Sequence, residues 1–511
     1  MKKQSIEIVW FKRDLRVRDH KPLYNASLTG APVLPLYVLE PDYWSQPSAS
    51  RRHWCFINDC LNELSADCST LGQPLIIKVG EIRKVFEGIH NEFNVLTIHS
   101  HEETGGDWTY KRDILVREWC RKTSINLVEY PNNGIVRGLQ NRDEWAKIRN
   151  RRVHEKITPT PERIKPIRIS LSDTIPLKND LMFGLPIKGK VQKGGRKEAI
   201  LLLKSFTEAR GRDYLLNISS PVKSDRSCSR ISTHLTWGTI TVKEILNSLG
   251  QKTIDFKDSK EAINKRNLSA FKSRLAWRCH FIQKLEDQPN IEFKCMHELF
   301  EGLRENDFNT SYFDAWCKGK TGFPFIDACM RFLMYNGWIT FRARALLVSF
   351  ASYNLWLDWR MTGPYLAKLF TDFEPGIHFS QLQMQSGVTG INAIRIYNPI
   401  KQSYDQDKNG LFIKKWLPEL QNVPLGFIHE PWLMNDTLQD RSRCMIGKDY
   451  PHPIIEYKPS YNKAKERIRK VREEISFNKI SKNVFKNLGS RKSRIVRSKT
   501  KKSSSQMSFD L

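Results

Sequence analysis

Hydrophobic and polar positions change rhythm three times along the chain. From residue 5 to about 135, short β-rich runs at Glu7–Phe11, Val33–Leu39, Leu75–Val79, Val95–His99 and Asn126–Tyr130 alternate with helix-periodic stretches at His53–Leu71, Glu81–Phe93 and Asp107–Lys122. Strands separated by helices predict a parallel sheet covered by helices, an α/β structure. From 136 to 193 the period is lost, and Pro159, Pro161, Pro166, Pro176 and Pro186 punctuate the chain. That predicts a long interdomain connection over the surface. From 194 to 457 apolar residues recur at i, i+3 and i+4, as in Leu268–Leu285 and Ala328–Met334, which predicts an all-α domain. The expected organisation is therefore an α/β domain (1–135), a linker (136–193), a helical domain (194–457) and a tail (458–511).

Charge changes this picture most. The 511 residues carry a formal net charge of +28, which implies a polyanionic partner, nucleic acid ahead of an anionic membrane surface. Lys458–Leu511 holds 17 Lys/Arg against 4 Asp/Glu, so the body stays basic without it. A basic helix is expected near 460–474 and a disordered Lys/Arg/Ser tail beyond about 486. The ten cysteines form no C-x-x-C and lack zinc-ligand companions, so free thiols in a reducing compartment and no metal are expected. Met1–Glu7 has no apolar signal core and no 18-residue apolar run occurs, which predicts a cytoplasmic protein without a membrane span. No G-x-G-x-x-G follows the first strand. Lys318-Gly319-Lys320-Thr321-Gly322 lacks both the earlier glycine and the preceding strand of a phosphate loop, which excludes a P-loop ATPase.

The most informative stretch is Trp316–Leu420. In order it holds Trp316-Cys317-Lys318-Gly319-Lys320-Thr321-Gly322-Phe323-Pro324, Asp327-Ala328-Cys329-Met330-Arg331, Gly337-Trp338, Phe341-Arg342-Ala343-Arg344, Leu357-Asp358-Trp359-Arg360, Asp372, Asn398-Pro399 and Lys415-Trp416-Leu417-Pro418-Glu419-Leu420. As an ordered set it resembles the flavin-binding half of the DNA photolyase/cryptochrome family. Trp10-Phe11-Lys12-Arg13-Asp14-Leu15-Arg16 is similar to the opening of that family's antenna domain. The resemblance implies an α/β antenna domain joined to an all-α domain that binds FAD, which carries the chemistry. It also implies a second chromophore of folate or deazaflavin type, with an empty α/β pocket as the alternative.

The resemblance also implies roles for particular residues. Cys228-Ser229-Arg230-Ile231-Ser232 looks like the family's Thr-Ser-x-Leu-Ser phosphate-binding run, with Tyr214 upstream and Cys228 in place of threonine. Trp277 would stack on a flipped-out base and Arg278 would lie near the flavin phosphates. Arg344 and Asp372 match a pair beside the isoalloxazine ring, and Glu374 stands where many relatives have Asp. A buried charge pair is costly unless it serves a site. Arg342, Lys401 and Gln402 are placed as phosphate binders, which position a duplex without reading it. His378 would face flavin N5. Of the three-tryptophan chain that photoreduces the flavin, Trp359 remains, while Leu382 and Asn306 hold the other places. Trp356, Tyr353 or an external reductant would then replace it.

The departures concern the lesion pocket. Arg274 occupies the place of a glutamate that bonds a cyclobutane dimer, Phe341 that of an asparagine and Met384 that of a stacking tryptophan. Gly337–Arg342 lacks the paired histidines of a (6-4) photolyase. The expected function is blue-light repair of UV-induced pyrimidine dimers in DNA by electron transfer from excited reduced FAD. A cryptochrome-type photoreceptor that binds DNA or a partner without repair is the alternative. Gln506-Met507-Ser508-Phe509-Asp510-Leu511 resembles the peptides that dock on bacterial sliding clamps.

Overall fold

The computed structural model describes residues 3–167, 172–255 and 263–491. Strands β1 (Ser5–Phe11), β2 (Val33–Leu39), β3 (Ile76–Val79), β4 (Asn94–His101) and β5 (Asn126–Tyr130) form one parallel sheet ordered β3-β2-β1-β4-β5. Successive side chains of a strand face opposite sides. Ile6, Ile8 and Trp10 of β1 therefore enter one core with Phe86 and Trp119, while Val9 and Phe11 enter another with Trp54 and Phe56. Strand order reverses between β1 and β4, which opens a crevice at their carboxyl ends.

The connection 136–193 is less superficial than its prolines suggest. Its helix Trp145–His154 buries Trp145 and Val153, and Trp145 packs with Ile135 at the end of the α/β domain and with Cys279 and Ile282 of the helical domain. Single apolar residues, too few for a visible period, anchor it.

In the helical body, prolines open Pro324–Asn336, Pro375–Ser386 and Pro399–Gln406, where a missing N–H is harmless. Pro375–Ser386 lies tight against Lys265–Asp287, and a Cβ on Gly376 would stand 2.5 Å from Ile282 Cα. The two domains meet at Arg13–Arg16 against Thr236–Gly238. Leu15 N–H donates to Trp237 O at 3.2 Å and Arg16 Nη1 to Gly238 O at 2.9 Å. Gly238 has φ +69°, and a Cβ there would fall 2.3 Å from Arg13 O.

Helical structure continues past residue 457 as Tyr457–Arg472 and Phe477–Leu488, whose Ala464, Ile468, Phe477, Val484 and Leu488 join the main helical core. The basic helix expected near 460–474 is thus present, but the charge count places it in a tail rather than against the core, and the helix Phe477–Leu488 is unexpected. A subset of its apolar residues is buried, while Ile475 and Phe485 stay exposed. The clamp-like peptide Gln506–Leu511 lies outside the described residues.

Candidate functional site

Two ion pairs organise the site. Arg344, on the helix Phe341–Ser349, directs Nη2 to both Asp372 oxygens at 3.0 Å, donates Nε to Ile339 O and lies 4.1 Å over Phe370. Arg278, on Lys265–Asp287, donates Nη2 to Glu374 Oε2 and to Leu235 O, both at 2.9 Å. Glu374 precedes the helix Pro375–Ser386 and is 4% exposed. A third cation reaches it from the α/β domain: Arg13 Nη2 lies 3.4 Å from Glu374 Oε2 and donates to Phe373 O. Arg13 sits in the Trp10–Arg16 run, which the sequence ties to the antenna domain alone. Among the described residues Glu374 Oε1 and Arg278 Nη1 are buried without a partner, and both residues line a cavity between the domains.

Cys228–Ser232 forms a second wall. Arg230 adopts φ +61°, stacks its guanidinium 4.1 Å from the Trp338 ring and pairs with Asp225 at 3.1 Å. Its carbonyl accepts from Gln192 of the connection, while Arg210 holds the carbonyls of Cys228 and Ser229. Ile231 is fully buried, so the run is fixed while Ser232 Oγ stays buried and unpartnered. Burial pushes the Cys228 thiol up to about 12, so it is present as a neutral thiol. Gln192 is a contribution that no local motif disclosed, while Trp338 belongs to the Gly337-Trp338 piece of the ordered set.

On the third wall Arg274 lies 3.9 Å over the Trp277 ring and donates to the buried Tyr214 hydroxyl. Phe341 is 38% exposed at the first turn of the helix that carries Arg344. Arg342 beside it has a buried Nε without a partner. Met384 is half-buried on Pro375–Ser386. Lys401 is exposed and Gln402 half-buried on Pro399–Gln406, a helix capped by Asn398. Among the described residues no hydrogen bond or ion pair ties Met384, Lys401 or Gln402 to the two pairs.

His378, one turn into Pro375–Ser386, donates Nε2–H to Gly363 O at 2.9 Å. Burial, with Arg344 as a lesser cause, lowers it to about 4, so the ring is neutral near pH 7. Trp359 is 1% exposed, under the guanidinium of Arg360 at 4.7 Å. Arginines flank both substitutes proposed for the missing tryptophans. Trp356 lies between Arg304 at 4.5 Å and Arg467 at 4.7 Å. At an effective dielectric of 20, one such cation opposes a radical cation by roughly 4 kcal/mol. Among the described residues the Tyr353 hydroxyl is buried without a hydrogen-bond partner.

The α/β crevice holds another cavity, with Trp10, Tyr37, Tyr43, Trp44, Arg112 and Trp237 in its lining. Arg112 lies between the rings of Trp10 at 4.9 Å and Trp108 at 5.6 Å, and bonds Glu40 at 3.0 Å. Burial still pushes the Glu40 carboxyl up to about 7. Nearby, Asp14 Oδ2 accepts from His20 Nε2 at 2.9 Å and His101 Nδ1 at 2.7 Å. This trio has metal-ligand spacing. However, His20 Nδ1 accepts the Leu23 N–H, so Nε2 carries the ring proton and has no lone pair for an ion.

FAD needs donors for its pyrophosphate and partners for its polar ring edge. Ser232 Oγ, Arg278 Nη1 and Glu374 Oε1 are unsatisfied protein atoms of these kinds, so the residues fit the cofactor. The comparisons agree. The family model "DNA photolyase" matches residues 7–140, and "FAD binding domain of DNA photolyase" matches 271–470. The chain is 28% identical over 491 residues to a deoxyribodipyrimidine photo-lyase of Alkalihalophilus pseudofirmus, covering 90% of this chain and 97% of that one. It is 25% identical to a cryptochrome DASH of Gloeobacter violaceus, covering 88% and 93%. The crystal structure of an archaeal photolyase from Sulfolobus tokodaii with two FAD molecules superposes with a TM-score of 0.73 at 26% identity, covering 91% and 100%. The sheet, the helical FAD-binding domain and relatives matched almost end to end agree, and the chain belongs to the DNA photolyase/cryptochrome family.

Proposed function

We propose that the protein repairs UV-induced pyrimidine dimers in DNA under blue light. The observation that carries this reading is the helix Phe341–Ser349. It pairs Arg344 with Asp372 on the flavin side and presents Phe341 and Arg342 at its first turn, in a chain of net charge +28. One rigid element thus joins the cofactor site to a cationic, aromatic rim suited to a nucleotide taken out of the stack. Reduced FAD supplies the electron that light makes available to the dimer.

The chain's residues bind and orient. Ser232, Arg230 and Arg278 hold the pyrophosphate side, and Asp372 and Glu374 accept from the ring edge. Trp277 stacks on the extruded base, while Arg342, Lys401 and Gln402 grip the backbone. The aromatic α/β cavity takes the second chromophore. Ten free thiols suit the cytoplasm, and among the described residues no helix is long and apolar enough to cross a membrane. The clamp peptide Gln506–Leu511 belongs to the same proposal.

A cryptochrome-type photoreceptor is the second reading. Arg274, Phe341 and Met384 favour it, because they stand where the resemblance places the lesion contacts of repair enzymes. Chemically pre-reduced protein under blue light, given single- and double-stranded oligonucleotides with one cyclobutane or (6-4) lesion, decides between them. Repair of either lesion supports the lyase. No repair at full FAD occupancy leaves the photoreceptor.

A further inference from the structure

The basic helix that the charge count singles out, Tyr457–Arg472, spends its cations internally. Arg469 pairs with Glu473, Lys470 with Glu466 at 3.1 Å and Arg467 with Asp307 at 2.9 Å, while Arg472 donates to Asn392 O. The next helix, Phe477–Leu488, does the opposite. It lies beyond the residues that the FAD-binding family model matches, which end at 470. No Asp or Glu occurs from Phe477 to Arg491. Lys479, Lys482 and Lys486 are exposed at i, i+3 and i+7, which is one face of a helix, and Asn478, Asn483 and Asn487 are exposed beside them. Among the described residues none of the three lysines has an ion pair. Like charges at i, i+4, such as Lys482 and Lys486, destabilise a helix, so the packing of the opposite side holds this face against its own repulsion.

That packing is extensive. Phe477 stacks on His297 with ring centroids 4.3 Å apart, Val484 and Leu488 enter the main helical core, and Ser481 Oγ donates to Gly390 O at 3.2 Å. Arg491 closes the last turn on the carbonyls of Phe485, Lys486 and Gly489 and pairs with Asp143. The loop that receives Ser481 at Gly390 and Arg472 at Asn392 runs on to Asn398, the cap of the helix that carries Lys401 and Gln402.

We infer that the Lys479–Lys482–Lys486 face is a second DNA contact, which grips backbone phosphates of the duplex flanking the nucleotide at the flavin rim. The inference rests on DNA being the partner in the proposed function, and not on repair. Seven residues of helix separate Lys479 from Lys486, about 10.5 Å along the axis. Three successive phosphates of one duplex strand occupy about the same axial length, at about 3.4 Å each. Lysine and asparagine donors hold phosphates without reading sequence, which suits a protein that must bind wherever a target base lies. A membrane surface fits less well. A helix lying on a bilayer turns its apolar face to the lipid, whereas here Phe477, Ile480, Val484 and Leu488 pack on the protein.

The test is binding of full-length, FAD-loaded protein to a long undamaged fluorescent duplex between about 50 and 200 mM salt. Wild type is compared with the triple variant Lys479→Gln/Lys482→Gln/Lys486→Gln and with the charge-retaining triple Lys479→Arg/Lys482→Arg/Lys486→Arg. A control removes three exposed lysines of the α/β domain, Lys84→Gln/Lys111→Gln/Lys122→Gln. Far-UV circular dichroism and bound FAD check that each variant is folded. The glutamine triple should bind more weakly, with the slope of log K against log salt lowered by about 2.7, so that the wild-type advantage shrinks roughly 40-fold across that salt range. The arginine triple and the control should keep the wild-type slope. A wild-type slope in the folded glutamine triple would overturn the lysine face as a DNA contact. An equal loss in the control would reduce the effect to net charge and overturn the site. Weakened binding to phosphatidylserine vesicles, with DNA binding unchanged, would make the face a membrane contact instead. Wild type that binds no duplex at all would overturn DNA as the partner.

Discussion

Replacing Glu374 by alanine should be among the most damaging single changes in the flavin domain. Its carboxylate, 4% exposed, faces Arg278 at 2.9 Å and Arg13 at 3.4 Å, whose side chains are 10% and 13% exposed. At an effective dielectric of 20, each contact carries a gross attraction of about 5 kcal/mol. Desolvation cancels much of this while the network is intact. Removing the shared anion leaves two buried cations facing each other, which costs about 3–5 kcal/mol. Glu374→Gln keeps the shape and one acceptor oxygen, so it should lose about half as much. The assay is urea unfolding of FAD-stripped protein followed by far-UV circular dichroism, with FAD retention measured separately by fluorescence. Arg278→Met in the Glu374→Ala background should restore part of the lost stability, because one stranded charge disappears. A loss below about 1 kcal/mol for Glu374→Ala, or strictly additive effects in the double variant, would refute the shared-anion account.

Three further outcomes are expected. His234 is fully buried, with burial lowering it to about 3. The unfolded chain therefore takes up the proton first as pH falls below about 6.5, and the His234 contribution, complete above that pH, is lost toward pH 3. By pH 5 the loss is about 2 kcal/mol, so the stability–pH curve of His234→Gln should be flatter by that amount; parallel curves would contradict this. Blue-light reduction of the oxidised flavin with a mild external donor should change less than about twofold in Trp356→Phe and Tyr353→Phe, given the flanking cations. A tenfold slowing would restore these rings as the route. Gly238→Ala should destabilise by more than about 2 kcal/mol and weaken FAD retention, since its Cβ meets Arg13 O at 2.3 Å with φ at +69°; a neutral melting temperature would show that the junction yields.

Local regularities were legible in the chain. The apolar runs place all five strands within a residue or two of their ends, because a helix-covered parallel strand is apolar on both faces and breaks at turns. The run Trp316–Leu420 identified the FAD domain through residue types in order. Two regions misled for opposite reasons. In Tyr457–Leu488 the expected basic helix is present, but lysines and arginines are nearly as many as the apolar residues and hid that Ala464, Ile468, Val484 and Leu488 dock on the core. In Trp145–His154 a few buried residues suffice to anchor the connection.

The sequence by itself determined the layer order, the cofactor class and the identity of the charged residues around the flavin. Tertiary structure alone decided their pairing. Arg13 reaches Glu374 across 361 positions, Arg274 stacks on Trp277, and Arg467 closes over Trp356 from a helix counted as tail. Periodicity reports which face of an element is buried. The charge that meets another charge depends on how distant elements dock, and no local pattern carries that information.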